Sequence, residues 1–296
     1  MYQLARFESN SGPQIGLMRD STVFTTQLGD ASWEETLEGW MDGGLPTPHG
    51  PGVPADQVLL LPPITNTSRV FCVAQNYPAH AAEAGGDSPP RPIVFIKPTT
   101  AFVGADGQAE LPPVTRFFDY EGELGVVIGR PGYCIPAAAA MSHVAGYTAA
   151  NDGSSRDLQP STLANRLQID WFAAKSSDRA SAMGPAIANI SELPQVGDLR
   201  IQTRHNGDLV QDDRVSSVFH PVPKLIEFIS SITSLKPGDV ILTGTPAGVG
   251  KARGVNLAEG DSVEVEISGI GTLKTSYIAP RTQAPADIAD RVEMNR

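Results

Sequence analysis

The chain has 296 residues, with 22 Lys and Arg against 33 Asp and Glu for a formal net charge of −11, and is 41% hydrophobic and 19% charged. That length and apolar content suffice for a sizeable core and exclude a disordered tail, while the acidic balance argues against an extended nucleic-acid footprint or an anionic membrane surface as partner. The 29 Gly and 25 Pro punctuate the chain with turns, which favours many short strands and excludes a helical bundle.

In chain order, residues 1–10 carry charges but no apolar core of a secretory signal. Short strand-like runs follow at Tyr2–Phe7, Gln14–Met18 and Thr22–Thr25, separated by Gly, Ser, Asn and Asp turns. Ser32 is placed to cap a helix carrying Trp33, Leu37 and Trp40 on one side. Residues 41–63 hold Gly43, Gly44, Pro46, Pro48, Pro51 and Pro54, a linker composition. The expected organisation is therefore a small N-terminal β domain with its linker over residues 1–62, a large domain over 63–280, and a polar surface tail over 281–296.

In the large segment, Val70–Ala74 and Ile93–Lys97 have strand length and apolar content, with a short Ala-rich helical turn, Pro78–Ala84, between them. Glu123–Ile128 and His143–Ala150 read as further strands. Val222–Ile232 places apolar residues at 222, 225, 226, 229 and 232 behind Pro221, an amphipathic helix. Asp239–Thr243 is a buried-type strand running into a glycine-rich loop, and Ser262–Ile267 with Thr272–Ile278 forms a hairpin. The sum is a mixed α/β, β-dominated fold. No stretch approaches the roughly 18 apolar residues of a spanning helix. Cys72 and Cys134 lack metal-ligand spacing, sit in apolar stretches and read as buried free thiols, which fits a reducing cytoplasm.

Five places could carry chemistry. In Asp119-Tyr120-Glu121-Gly122-Glu123, residues two apart on a strand share a face, so Glu121 and Glu123 set two carboxylates side by side. Such a pair either faces solvent or requires a cation, and a hard divalent ion with oxygen ligands meets that need. Asn151-Asp152-Gly153-Ser154-Ser155-Arg156-Asp157 concentrates acid, base and amide groups after an apolar stretch. It reads as a site loop or as a turn with a local Arg156–Asp157 ion pair. If Asn76–Glu83 is helical, His80 and Glu83 are neighbours at i, i+3, and the carboxylate would hold the imidazole as a general base. Lys175, after Trp171-Phe172-Ala173-Ala174, leaves two readings: an ammonium snorkelling to the surface, or one projecting into a site as an oxyanion partner. Gly244-Thr245-Pro246-Ala247-Gly248 is neither a P-loop nor a dinucleotide fingerprint, and suits close backbone approach to a small ligand or a tight turn.

The order of these motifs is more specific than any one of them. Arg69 to Tyr77 with His80 and Glu83, Ile96-Lys97-Pro98, Asp119 to Leu124, Gly146-Tyr147-Thr148 to Asp152, Ser155 to Gln159, Ala174-Lys175-Ser176, and Pro237 to Pro246 together resemble the fumarylacetoacetate hydrolase (FAH) superfamily over about residues 60 to 280. The N-terminal β unit is similar to that of its two-domain bacterial members. The resemblance implies an FAH-like β-roll in the large domain, a cytoplasmic homodimer and a bound Mg²⁺ or Mn²⁺. It places the metal on Glu121, Glu123 and Asp152, and the catalytic groups on His80, Glu83 and Lys175. Contacts to a small anionic oxo-acid substrate fall on Arg156, Gln159, Lys175 and Thr245. The implied activity is cleavage of a C–C bond in 2,4-dioxo acids of the acylpyruvate or fumarylpyruvate type, as in aromatic catabolism, through a metal-stabilised enolate. An oxaloacetate-type decarboxylase, or a hydratase or tautomerase of 2-hydroxydienoates, is the alternative on the same scaffold, and a non-catalytic small-acid binder is a more distant one. Two departures from the family pattern, Ala74-Gln75 before Asn76 and Ser177 to Ala180 after Ser176, bear on the substrate, with Arg179 expected near the site.

Overall fold

The computed structural model describes residues 2–28, 31–44, 46–87, 89–163, 166–193 and 195–284. The first three strands, β1 (Gln3–Ser9), β2 (Gly12–Arg19) and β3 (Thr22–Thr26), form an antiparallel meander that buries Leu4, Leu17 and Val23. Ser32 caps α1 (Trp33–Met41) reciprocally: its hydroxyl accepts from the Glu35 N–H, and the Glu35 carboxylate accepts from the Ser32 N–H. The helix buries Trp33, Leu37 and Trp40, as their spacing requires. Residues 41–63, expected as linker, instead hold β4 (Pro48–Pro54), paired with β3, and β5 (Leu60–Leu61), paired with β1. Strand β4 is the last of its sheet, and on an outer edge a proline removes no ladder hydrogen bond. That is why a proline-rich strand read as a linker.

The remainder follows as β6 (Val70–Ala74), α2 (Pro78–Glu83), β7 (Ile93–Lys97), β8 (Phe102–Val103), β9 (Gly107–Glu110), β10 (Phe118–Asp119), β11 (Gly122–Ile128), β12 (Val144–Asn151) and β13 (Ser154–Ser155). Then come β14 (Pro160–Leu163), β15 (Arg166–Ile169), α3 (Trp171–Lys175), β16 (Ser181–Asn189), β17 (Arg200–His205) and β18 (Asp208–Arg214). The chain continues through α4 (Val222–Ile232), β19 (Val240–Leu242), α5 (Gly250–Arg253), β20 (Ser262–Ile267) and β21 (Gly271–Ile278). One 12-stranded sheet runs β4-β3-β2-β1-β16-β12-β11-β19-β6-β7, with β5 added on β1 and β8 on β16. A five-stranded sheet runs β18-β17-β20-β21-β9. The protein is thus β-dominated mixed α/β, as expected.

Strands β11 and β12 occupy the middle of the large sheet and are buried along their whole length, so both read as continuous apolar runs rather than alternating ones. They pair antiparallel with Glu123 opposite Ala150 and Gly122 opposite Asn151. This register brings Asp152, just beyond the end of β12, beside Glu121, whose carbonyl accepts from the Asp152 N–H at 2.8 Å. Strand β16 packs so closely on β12 that a Cβ at Gly146 would lie 2.1 Å from the Ala188 carbonyl oxygen. The meander joins this core through β1 and β16, Leu4 opposite Ile187.

Parallel pairing of β19 with β6 is locked at its start by Asp239, which is fully buried. Its carboxylate accepts from the Arg69 N–H at 3.0 Å, Arg69 Nε at 3.2 Å and the Lys236 N–H at 2.8 Å. Asp239→Ala strands these donors and a half-buried guanidinium, and is expected to lower unfolding free energy by about 3 kcal/mol in urea titration. A change below experimental error would show that the turn holds without it.

Cys72 is buried, but Cys134, expected to be buried, is exposed: it sits at φ 52° in a turn, where the local backbone rather than its apolar neighbours sets its position. Residues 285–296, most of the expected tail, lie outside the described residues. No described helix is long and apolar enough to cross a membrane.

Candidate metal centre

Glu121 and Glu123 flank Gly122 at the entry to β11, and the period-two alternation of the strand turns both carboxylates to the same side. With Asp152 they form a buried triad in which one oxygen of each residue lies within 4.8 Å of the others. Asn151 holds the turn: its side-chain carbonyl accepts from the Glu121 N–H at 3.0 Å, and its amide donates to the Tyr277 hydroxyl at 2.8 Å.

Three buried cations stand around the triad. Lys175 ends α3, whose first turn is capped by Asp170, and its ammonium lies 2.6 Å from Glu121 Oε2 and 2.8 Å from Asp152 Oδ2. Lys97, at the end of β7, donates to Asp152 Oδ1 and, at 2.9 Å, to the Gly153 carbonyl. Arg156 spans two acids, Nε donating to Asp119 Oδ2 at 2.8 Å and Nη2 lying 2.6 Å from Glu121 Oε1. Arg156 therefore pairs with Asp119 and Glu121 rather than with its sequence neighbour. Asp157 instead accepts from the Thr115 hydroxyl and from the Arg116 N–H at 2.9 Å.

The electrostatics separate the two glutamates. Burial raises the Glu121 carboxyl, but the charges of Lys175 and Arg156 outweigh it and hold the group well below the usual carboxylate range. Glu123 moves the other way, raised by burial and then by the charges of Asp152 and Glu121. Its Oε2 accepts from the Gly244 N–H at 2.7 Å, and among the described residues it has no ion pair. Asp119, Glu121, Glu123 and Asp152 thus set four carboxylates against Lys97, Lys175 and Arg156, an excess of one negative charge. An all-oxygen, buried donor set in which Glu123 has no ion pair among the described residues fits a hard divalent cation such as Mg²⁺ or Mn²⁺.

The triad forms the floor of a cavity of about 420 Å³. His80, Glu83, Arg156, Gln159, Lys175 and Thr245 line it, so the structure brings the expected catalytic and substrate-contact residues to the cavity that holds the acidic triad. His80 is buried on α2, with Nδ1 3.6 Å from Glu83 Oε2, and the Gly248 N–H donates to both Glu83 oxygens at 2.9 and 3.1 Å. Burial lowers the imidazole pKa below its ordinary 6.5; the charge of Glu121 opposes that shift and the charge of Arg156 adds to it. The Thr245 hydroxyl donates to the Gly122 carbonyl at 2.9 Å and accepts from Gln211 at 2.8 Å, so it braces the loop. Phe95 stacks on Trp171 at 4.6 Å, and the pair forms an apolar wall. Arg179, expected near the site, instead pairs with Glu110 at 2.7 Å, because the turn after α3 carries it away from the cavity.

Sequence reasoning gave no role to Lys97, Asp119 or Lys251. A lysine closing an apolar strand usually snorkels outward, and only the fold shows Lys97 buried. Asp119 stood inside the acidic motif. Its Oδ1 accepts from the Tyr120 and Gly250 N–H groups at 2.8 and 2.7 Å, and its Oδ2 from the Lys251 N–H at 3.0 Å.

A family model described as fumarylacetoacetate (FAA) hydrolase, C-terminal, matches residues 69–277. Over 225 residues the chain is 39% identical to the mitochondrial oxaloacetate tautomerase FAHD2B of Bos taurus, covering 75% of this chain and 70% of that protein. The crystal structure of 2-hydroxyhepta-2,4-diene-1,7-dioate isomerase from Mycobacterium marinum superposes with a TM-score of 0.76 at 32% identity, over 95% of this chain and 100% of the other. That of fumarylpyruvate hydrolase from Pseudomonas aeruginosa, in complex with Mn²⁺ and pyruvate, gives a TM-score of 0.64 at 30% identity, over 76% of this chain and 92% of the other.

Proposed function

The chain belongs to the fumarylacetoacetate hydrolase family, and from that premise we propose that it is a divalent-metal-dependent enzyme that moves a proton on small, anionic, enolisable 2-oxo acids. The observation that carries this reading is a buried histidine, 3.6 Å from the Glu83 carboxylate, in the same cavity as three carboxylates suited to a metal. A Mg²⁺ or Mn²⁺ ion held by Glu121, Glu123 and Asp152 would supply Lewis-acid polarisation of the 2-oxo group. The remaining work belongs to the chain. Arg156 and Lys175 offset the charge of an entering carboxylate. Neutral His80 accepts a proton from the substrate and returns it, and Glu83, fixed by the Gly248 N–H, stabilises the transient imidazolium. Phe95 and Trp171 keep bulk water from that wall.

Keto–enol tautomerisation needs no more than this and is the preferred reaction, supported by the relationship to the bovine oxaloacetate tautomerase. The His80–Glu83 pair and the likeness to the Pseudomonas hydrolase favour a second reading, C–C hydrolysis of 2,4-dioxo acids. There His80 would deprotonate a water that attacks the 4-carbonyl; the C3–C4 bond breaks, leaving a pyruvate-type acid and a second carboxylic acid.

The test is an assay of the Mn²⁺-loaded protein on enol oxaloacetate, acylpyruvates and fumarylpyruvate, with products identified. The expected result is loss of the enol absorbance at a rate abolished by chelator and restored by Mn²⁺. Cleaved acylpyruvates with an unchanged enol rate would select hydrolysis, and no acceleration of any of them would refute both readings.

A further inference from the structure

Four basic side chains line the cavity, and three are already committed. Arg156 pairs with Asp119 and Glu121, Lys175 with Glu121 and Asp152, and His80 faces Glu83. The fourth is Lys251, on α5. It is exposed, and among the described residues its ammonium has no ion pair. Its backbone is nonetheless fixed. The N–H groups of Gly250 and Lys251 donate to the two oxygens of Asp119 at 2.7 and 3.0 Å, and the same Oδ2 takes Arg156 Nε at 2.8 Å. One buried carboxylate therefore ties the α-carbon of the uncommitted lysine to the committed arginine at the floor, while the flexible four-carbon stem leaves the ammonium free to reach a ligand. Beside it stand Val249 and Ala252, and Glu83, which also lines the cavity, has both oxygens held by the Gly248 N–H.

We infer that Lys251 receives a second, distal carboxylate of the substrate, so that the cavity selects dicarboxylic 2-oxo acids over monocarboxylic ones. A monocarboxylate spends its only charge at the floor and leaves Lys251 hydrated as before. A dicarboxylate gains a charge-assisted hydrogen bond in a partly enclosed site without displacing an existing ion pair. The inference rests on the 2-oxo-acid reading and adds to it the residue that sets the preference.

The experiment measures binding rather than turnover. Calorimetry of the Mn²⁺-loaded protein compares 2-oxoglutarate with 2-oxovalerate, which share a carbon skeleton and differ in the distal carboxylate. Wild type is expected to bind the dicarboxylate about tenfold more tightly, the scale of one hydrogen bond between charged groups. Lys251→Ala should bring the ratio of the two dissociation constants close to one, Lys251→Glu should reverse it, and Lys251→Arg should keep most of it. A wild-type ratio near one, or a ratio unchanged in Lys251→Ala, overturns the role of Lys251 while the 2-oxo-acid reading stands. If neither compound binds in the presence of Mn²⁺, both fall.

Discussion

Glu123→Gln is expected to weaken Mn²⁺ binding by two orders of magnitude or more in calorimetry and to lower turnover on the order of a thousandfold, since a Lewis-acid metal contributes several kcal/mol to the transition state. The substitution keeps the shape of the side chain and removes one ligand charge. In the metal-free protein Glu123 is a buried carboxyl with the Gly244 N–H as its hydrogen-bond donor and no ion pair among the described residues. Replacing it by an amide removes a charge that burial and the neighbouring acids disfavour. Metal-free Glu123→Gln should therefore unfold no earlier than metal-free wild type, and only the stabilisation by added Mn²⁺ should disappear. A variant that still binds Mn²⁺ with native affinity would remove Glu123 from the ligand set. One that unfolds without metal would show a structural role in place of a ligand role.

His80→Ala should lower turnover by about a hundredfold to ten-thousandfold, the range for losing a general acid–base group, and leave Mn²⁺ affinity within about twofold because His80 is outside the triad. The pH profile separates this from a packing defect. Because burial lowers the imidazole pKa, His80 stays neutral at pH 6.5 and becomes protonated only below it. Wild-type activity at saturating Mn²⁺ should therefore persist through pH 6.5 and fall at lower pH, and the residual activity of His80→Ala should lack that limb. A limb that survives in the variant would assign it to another group, and undiminished turnover would sink the proton-transfer role.

How far the sequence disclosed this site depended on whether each partner was local. Helix α4 was read to the residue because Val222, Leu225, Ile226 and Ile229 repeat at helical spacing behind Pro221. Strands β6 and β7 were read to the residue because each is a compact apolar run. The Glu121/Glu123 pair is legible from strand alternation alone. That Asp152 completes it depends on the pairing of Glu123 with Ala150, which no local pattern encodes and only the ordered motifs suggested.

The misreadings have the same origin. Arg156 and Arg179 chose acids far away in the chain, Asp119 and Glu110, over nearer ones. Strand β16 reads as Ser-Ala-Met-Gly-Pro-Ala-Ile-Ala-Asn, too poor in β-branched residues to announce itself, yet the tight approach at Gly146 favours its small side chains. The β17–β18 hairpin did carry a local signal, Asn206-Gly207, with both residues at positive φ.

The join between β1 and β16 has a consequence for synthesis. Strands β1 to β3 pair with one another inside the first 26 residues, so the ribosome releases a meander that forms from local contacts. Its docking strand cannot arrive until the segment around Ile187 has been made, and only Leu60-Leu61 covers part of that flank earlier. Until then the Leu4 end of β1 lacks its partner on that flank, a short open edge of the kind by which unfinished β proteins aggregate. Expression yield should accordingly respond to elongation speed and to chaperones more than the stability of the finished sheet would suggest.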